Sequence, residues 1–215
     1  MKNKRDKQKI LLNKVLLLSV ITISYNIIEG IVSILYGMKD ETLALFGFGV
    51  DSFVEVISGI GIFHMVLRMK KNSVEARDKF EQLALLITGF SFILLFLGLV
   101  TGAIINFISK TKPETTIPGI IISLISIITM FTLMKSKLFI GKKLNSEAII
   151  ADAKCTMTCF YLSIILLSSS LLYEFLNIGF IDIIGSLGIA YFAIREGLEA
   201  LEKSRSKSIK CSCVD

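Results

Sequence analysis

The run LALLITGFSFILLFLGLVTGAII, Leu83–Ile105, holds no charged residue, and its reading decides the fold class. As an α-helix rising about 1.5 Å per residue, it is long enough to cross a bilayer's hydrocarbon core of roughly 30 Å. Further apolar runs lie on either side. Together they give the 215-residue chain 53% hydrophobic residues and a mean hydropathy of +0.72. A soluble domain of this length needs a polar surface, which this composition cannot supply. Worked outward from Leu83, the pattern predicts six spanning helices. They cover Val15–Met38, Thr42–Leu67, Leu83–Phe107, Ile117–Met134, Glu147–Tyr173 and Phe175–Ile194. The expected class is an all-α, multi-pass integral protein of the cell membrane. A basic stretch, 1–14, precedes the six-helix domain, 15–202, and a short polar tail, 203–215, follows it. A secretory signal is not expected, because the first apolar stretch is long and no small-residue cleavage site follows it.

The net charge of +6 follows the membrane rather than a nucleic acid. Lys2, Lys4, Arg5, Lys7, Lys9 and Lys14 precede the first helix; Arg68, Lys70, Lys71, Arg77 and Lys79 separate helices two and three. Lys135, Lys137, Lys142 and Lys143 fall between helices four and five, and Arg195, Lys203, Arg205, Lys207 and Lys210 close the chain. The opposite loops hold only Lys39, Lys110 and Lys112. The bias places both termini in the cytoplasm. The basic excess therefore sets topology and meets lipid headgroups, and no nucleic-acid partner is expected. Pro113, Gly119, Asn177 and Gly179 punctuate the outer loops.

Helices two and five carry the chemistry. TLALFGFGVDSFVE, Thr42–Glu55, overlays SEAIIADAKCTMTC, Ser146–Cys159, without a gap, and small residues coincide at five positions along it. Asp51 then meets Cys155, and Glu55 meets Cys159. Each pair is spaced i,i+4, so its members share one helix face about 6 Å apart along the axis. Helix two runs inward, placing Asp51 roughly 14 Å below the outer boundary and Glu55 about 20 Å. Helix five runs outward and brings Cys159 and Cys155 near the same depths. Ionisable groups inside a bilayer are costly and turn towards a partner or a wet cavity. Two carboxylates and two thiols near the midplane can form a tetrahedral site for a divalent metal, and the sulfurs favour zinc or cadmium over magnesium.

The second and fifth segments resemble the matching helix signatures of the cation diffusion facilitators. DIIGSLGIAYFAIREGLEAL, Asp182–Leu201, resembles that family's sixth helix. The resemblance implies a six-helix metal transporter, commonly a homodimer. It also implies that Asp51, Glu55, Cys155 and Cys159 stand at the ligand positions. Histidine is absent from all four, and the family's usual C-terminal cytoplasmic domain is not expected after helix six, so the resemblance implies a truncated or divergent branch.

Other residues are accessory candidates. Asp152 with Lys154 could gate or attract the ion, or simply snorkel to headgroups. Asn26, Glu29 and Asp182 line the path or lock helix packing. His64, the chain's one histidine, reads as interfacial, with proton shuttling as the alternative. Cys211 and Cys213 in the tail hold a soft metal or have no role. The expected function is proton-coupled export of zinc or cadmium from the cytoplasm by alternating access, the metal being substrate and no prosthetic group being required. Each ligand must be deprotonated to bind metal, so protons are the natural counter-ion. A membrane metal-sensing or scaffolding subunit that binds without transporting is the alternative. Enzyme chemistry is not expected, since no second histidine, phosphate-cradling loop or nucleotide motif is present.

Overall fold

The computed structural model describes residues 2–39, 42–71, 79–109, 116–176 and 178–206. These form six helices: α1 (Lys2–Lys39), α2 (Leu43–Lys71), α3 (Lys79–Ser109), α4 (Ile117–Leu144), α5 (Glu147–Leu176) and α6 (Phe180–Arg205). Among the described residues α1 to α5 are each long and apolar enough to cross a membrane. In α6 the apolar stretch is bounded by Asp182 and by Arg195 and Glu196, and this helix packs along α3. The protein is a multi-pass membrane protein.

Several helices outrun their apolar segments at the basic end. The fourth does not stop at Met134 but continues to Leu144. Helical hydrogen bonds keep the backbone satisfied there, and long lysine stems let the chain pass through the interface. The sixth begins at Phe180, and Phe175 belongs instead to the last turn of α5. Gly119 is likewise no loop residue. It lies in the first turn of α4, just after Pro118, where a proline's missing N–H costs nothing.

Three helix pairs make the bundle: α1 along α2, α3 along α6, and α4 along α5. Beyond α1, helix α2 also touches α3, α5 and α6, which gives it a central position. Small residues allow this closeness, because van der Waals packing, not the hydrophobic effect, holds helices together in lipid. A Cβ on Gly49 would lie 2.8 Å from the backbone nitrogen of Ile34, so α1 and α2 meet nearly backbone to backbone.

Polarity is inverted relative to a soluble bundle. Ile28, Leu94, Ile108 and Ile128 are exposed, whereas Ser19, Thr22, Asn26, Glu29 and Ser33 form a buried polar stripe along α1. Their three- and four-residue spacing keeps them on one face. Apolar clusters pack towards each end of the bundle. At the outer end Leu45 and Phe48 of α2 join Leu99, Leu162, Leu166 and Ile189. At the basic end Leu12 and Val15 join Val66, Ile140 and Ile149. The polar chemistry lies between these layers.

A candidate metal site between α2 and α5

The buried faces of α2 and α5 meet. The Cys159 thiol is in direct hydrogen-bonding contact with Oε1 of Glu55. Asn26 of α1 donates through Nδ2 to the other oxygen of Glu55, at 2.9 Å. The carboxylate is thus held from two sides, by α5 and by α1. Asp51, one turn towards the outer end, is only 2% exposed. Glu29 accepts from the Tyr25 hydroxyl at 2.8 Å and from Ser52, the neighbour of Asp51, at 3.1 Å.

Three cavities open around this contact, and all of them reach Ser58 and Cys155. The first, of about 40 Å³, is walled by Asn26, Glu55, Lys137, Asp152, Cys155 and Cys159. The second, of about 50 Å³, is walled by Asp51, Glu55, Cys155, Thr158 and Glu196. The third runs towards the basic end past Met65, Glu81 and Lys203. Each is roomy enough to hold a water or a small ion, and polar side chains stand on its otherwise mainly apolar wall. On the outer side the Phe48 and Leu45 layer stands between Asp51 and the end of the bundle.

The four expected ligands therefore occupy the walls of two adjoining cavities, with Glu55 and Cys159 in contact. They do not form one finished coordination sphere. Among the described residues no group of three or more His, Cys, Asp or Glu side chains is close enough to hold an ion. Closely gathered carboxylates are unfavourable without a cation between them.

The accessory candidates separate clearly. Asn26 and Glu29 face the site. Asp182 is a packing lock: it accepts from the backbone N–H groups of Leu43 at 2.9 Å and Ala44 at 3.3 Å, satisfying the first turn of α2. His64 walls none of the three cavities. Its Nδ1 lies 3.6 Å from Glu81, which Arg68 also pairs at 2.8 Å, and its ring packs on Phe80. Lys154 is exposed and is not the partner of Asp152. That partner is Lys137, whose Nζ lies 3.1 Å from Asp152 Oδ1 and donates to Thr156 Oγ1 at 3.1 Å. Cys211 and Cys213 lie outside the described residues.

Two residues of the site were not singled out from sequence. Glu196, at the basic end of α6, accepts from Thr158 at 3.1 Å on the wall of the second cavity. Lys137 had the look of an interfacial lysine, yet it is only 2% exposed. Its signal was periodic: Ser126, Met130, Leu133, Lys137 and Ile140 mark one buried stripe of α4.

Residues 18–207 match the cation efflux transmembrane domain. A curated protein described as an uncharacterized transporter, from Methanocaldococcus jannaschii, is 29% identical over 169 residues, covering 73% of this chain and 56% of that protein. The chain thus spans little more than half the length of that relative.

Proposed function

We propose, from the premise that the chain belongs to the cation efflux transmembrane family, that it exports a divalent transition-metal ion from the cytoplasm in exchange for protons. Zinc and cadmium are the preferred ions, and the working unit is the homodimer its family resemblance implies. Asp51, Glu55, Cys155 and Cys159 bind the ion. The observation that carries this reading is the contact of Glu55 with Cys159 across α2 and α5, on cavity walls that also hold Asp51 and Cys155.

A divalent cation would draw Asp51 and Cys155 inward and offset the charge of the carboxylates, which is otherwise unfavourable in a bilayer. Two sulfurs beside two carboxylates select borderline and soft ions over magnesium and calcium. Cavities reaching Glu81 and Lys203, with an apolar layer on the outer side, support loading from the cytoplasm. Metal binding releases the protons of thiol and carboxyl groups, and release of the metal to the outside lets protons return. Rocking of helix groups around the midplane would expose the ion to each side in turn. Glu29 and Asn26 orient α2's ligands, and Asp152 stands at the inner mouth.

A flux assay in sealed vesicles across a panel of metals, with an imposed pH gradient, tests the proposal. Zinc and cadmium should move and respond to the gradient, and Asp51→Asn or Glu55→Gln should abolish movement. Binding without flux would instead favour a sensing or scaffolding subunit. Flux that survives Cys155→Ser with Cys159→Ser would point to another cation, carried by the carboxylates alone.

A further inference from the structure

The buried ammonium of Lys137 shares a cavity with Glu55, Cys155 and Cys159. It lies well inside α4, about 10 Å along the axis from the helix's last residue. A lysine so placed opposes the approach of any other cation, so its presence beside a cation site needs a reason. Its geometry supplies one. Asp152 Oδ1 and Thr156 Oγ1 hold the ammonium, each at 3.1 Å. The second oxygen of Asp152 is buried and has no hydrogen-bond partner, and Asp152 itself stands on the cavity wall. The pair is thus electrically neutral, but half of it is unsatisfied, and it borders the same space the metal ligands border.

We propose that Lys137 is a resident counter-charge, an affinity-setting residue that cancels Asp152 and keeps the transported ion from binding too tightly to leave. The inference rests on the metal-site reading above. An exporter must release its cargo as well as capture it, and a site surrounded by Asp51, Glu55, Glu29 and an unpaired Asp152 would hold a divalent ion strongly. Lys137 removes one of those charges permanently, without occupying a ligand position. The alternative assignment of Asp152, as a direct ligand of the ion, also has Asp152→Asn weaken binding and differs in the double variant, where the lost donor keeps affinity below that of wild type.

The test is a comparison of zinc affinity in purified full-length protein, by competition with a chromogenic chelator, for wild type, Asp152→Asn and the double variant Lys137→Gln with Asp152→Asn. Asp152→Asn leaves the lysine uncompensated and should weaken zinc binding at least tenfold, the scale for a unit charge within about 10 Å of a divalent ion at an effective dielectric near 20. The double variant removes both charges and should return affinity to within about threefold of wild type. Lys137→Gln alone, where it folds, should bind at least tenfold tighter and turn over more slowly at saturating zinc. A packing role for Asp152 gives no loss to rescue, and a ligand role leaves the double variant short of wild-type affinity because a donor is missing. A double variant that binds as weakly as Asp152→Asn overturns the inference, as does Asp152→Asn with wild-type affinity. Wild-type protein that binds no zinc, cadmium or other metal of the panel overturns the metal-site reading beneath it as well.

Discussion

Replacing Asn26 with leucine removes one hydrogen bond from Glu55 and little else, which makes it a sharp probe of the site. Asn26 is buried on α1 and donates at 2.9 Å to Glu55 Oε2, while the opposite oxygen faces Cys159. Hydrogen bonds to charged groups contribute about 1.5–3 kcal/mol. The adjoining cavity of about 40 Å³ can admit a water that partly replaces the amide, so the lower bound applies. A loss of ~1.5 kcal/mol corresponds to about tenfold weaker metal binding. Side chains that orient a metal ligand commonly have effects of this order. The assay is zinc competition titration of Asn26→Leu against wild type, with Ser33→Ala as a control on the same buried face of α1. Folding should survive, because leucine is no less at home than asparagine between helices in lipid. If Asn26→Leu is correctly folded and binds zinc as tightly as wild type, Glu55 does not depend on α1, and the proposed arrangement of the site is wrong.

Other consequences can be measured directly. Cys155→His with Cys159→Asp keeps ligand number and helix position but removes both sulfurs, so the cadmium-to-zinc affinity ratio should fall while transport persists; an unchanged ratio would make the cysteines packing residues. Asp182→Ala strips the first turn of α2 of two hydrogen bonds and should lower stability by about 1–2 kcal/mol, with no change in ion preference. Thermal unfolding in detergent reads the first effect, and the metal panel reads the second. Lowering pH on the loading side should weaken apparent zinc affinity by about tenfold per pH unit for each proton displaced, because ligands must deprotonate to bind. Zinc binding that is flat with pH would refute proton exchange at these ligands.

Much of this architecture could be read from periodicity and charge. Uncharged runs marked the helices, and alternation of lysine and arginine fixed their direction. The i,i+4 pairs at matching depth led to the expectation that α2 and α5 bring all four groups together; the two helices do meet, but the contact made is that of Glu55 with Cys159, and the four do not converge. What could not be read was the partner of each polar residue across helices. Asp182 reads from sequence as equally suited to a path or a packing role, and only the position of α2's N-terminus shows it to be a cap. Asp152 has a lysine two residues away, yet i,i+2 side chains diverge on a helix, and its true partner comes from α4. Lys137 was hidden because lysines next to a membrane segment are normally interfacial, and α4 runs ten residues further than its apolar stretch suggests.

The turn between α4 and α5 bears on how the chain enters the membrane in the first place. It is made by Asn145, held in the left-handed conformation at φ 48°, with the N–H of Ser146 closing onto the carbonyl of Gly141 at 3.0 Å. Asparagine is among the few residues that adopt this conformation readily. Lys137 and Asp152 lie about two helical turns to either side of it, so they meet as soon as the hairpin closes. A lone charge resists insertion, by as much as about 2.5–3.5 kcal/mol at mid-bilayer. A hairpin that leaves the insertion machinery as one unit carries the two as a neutral couple, before they have packed against the other helices. Lengthening this turn should therefore harm biogenesis more than it harms the finished protein.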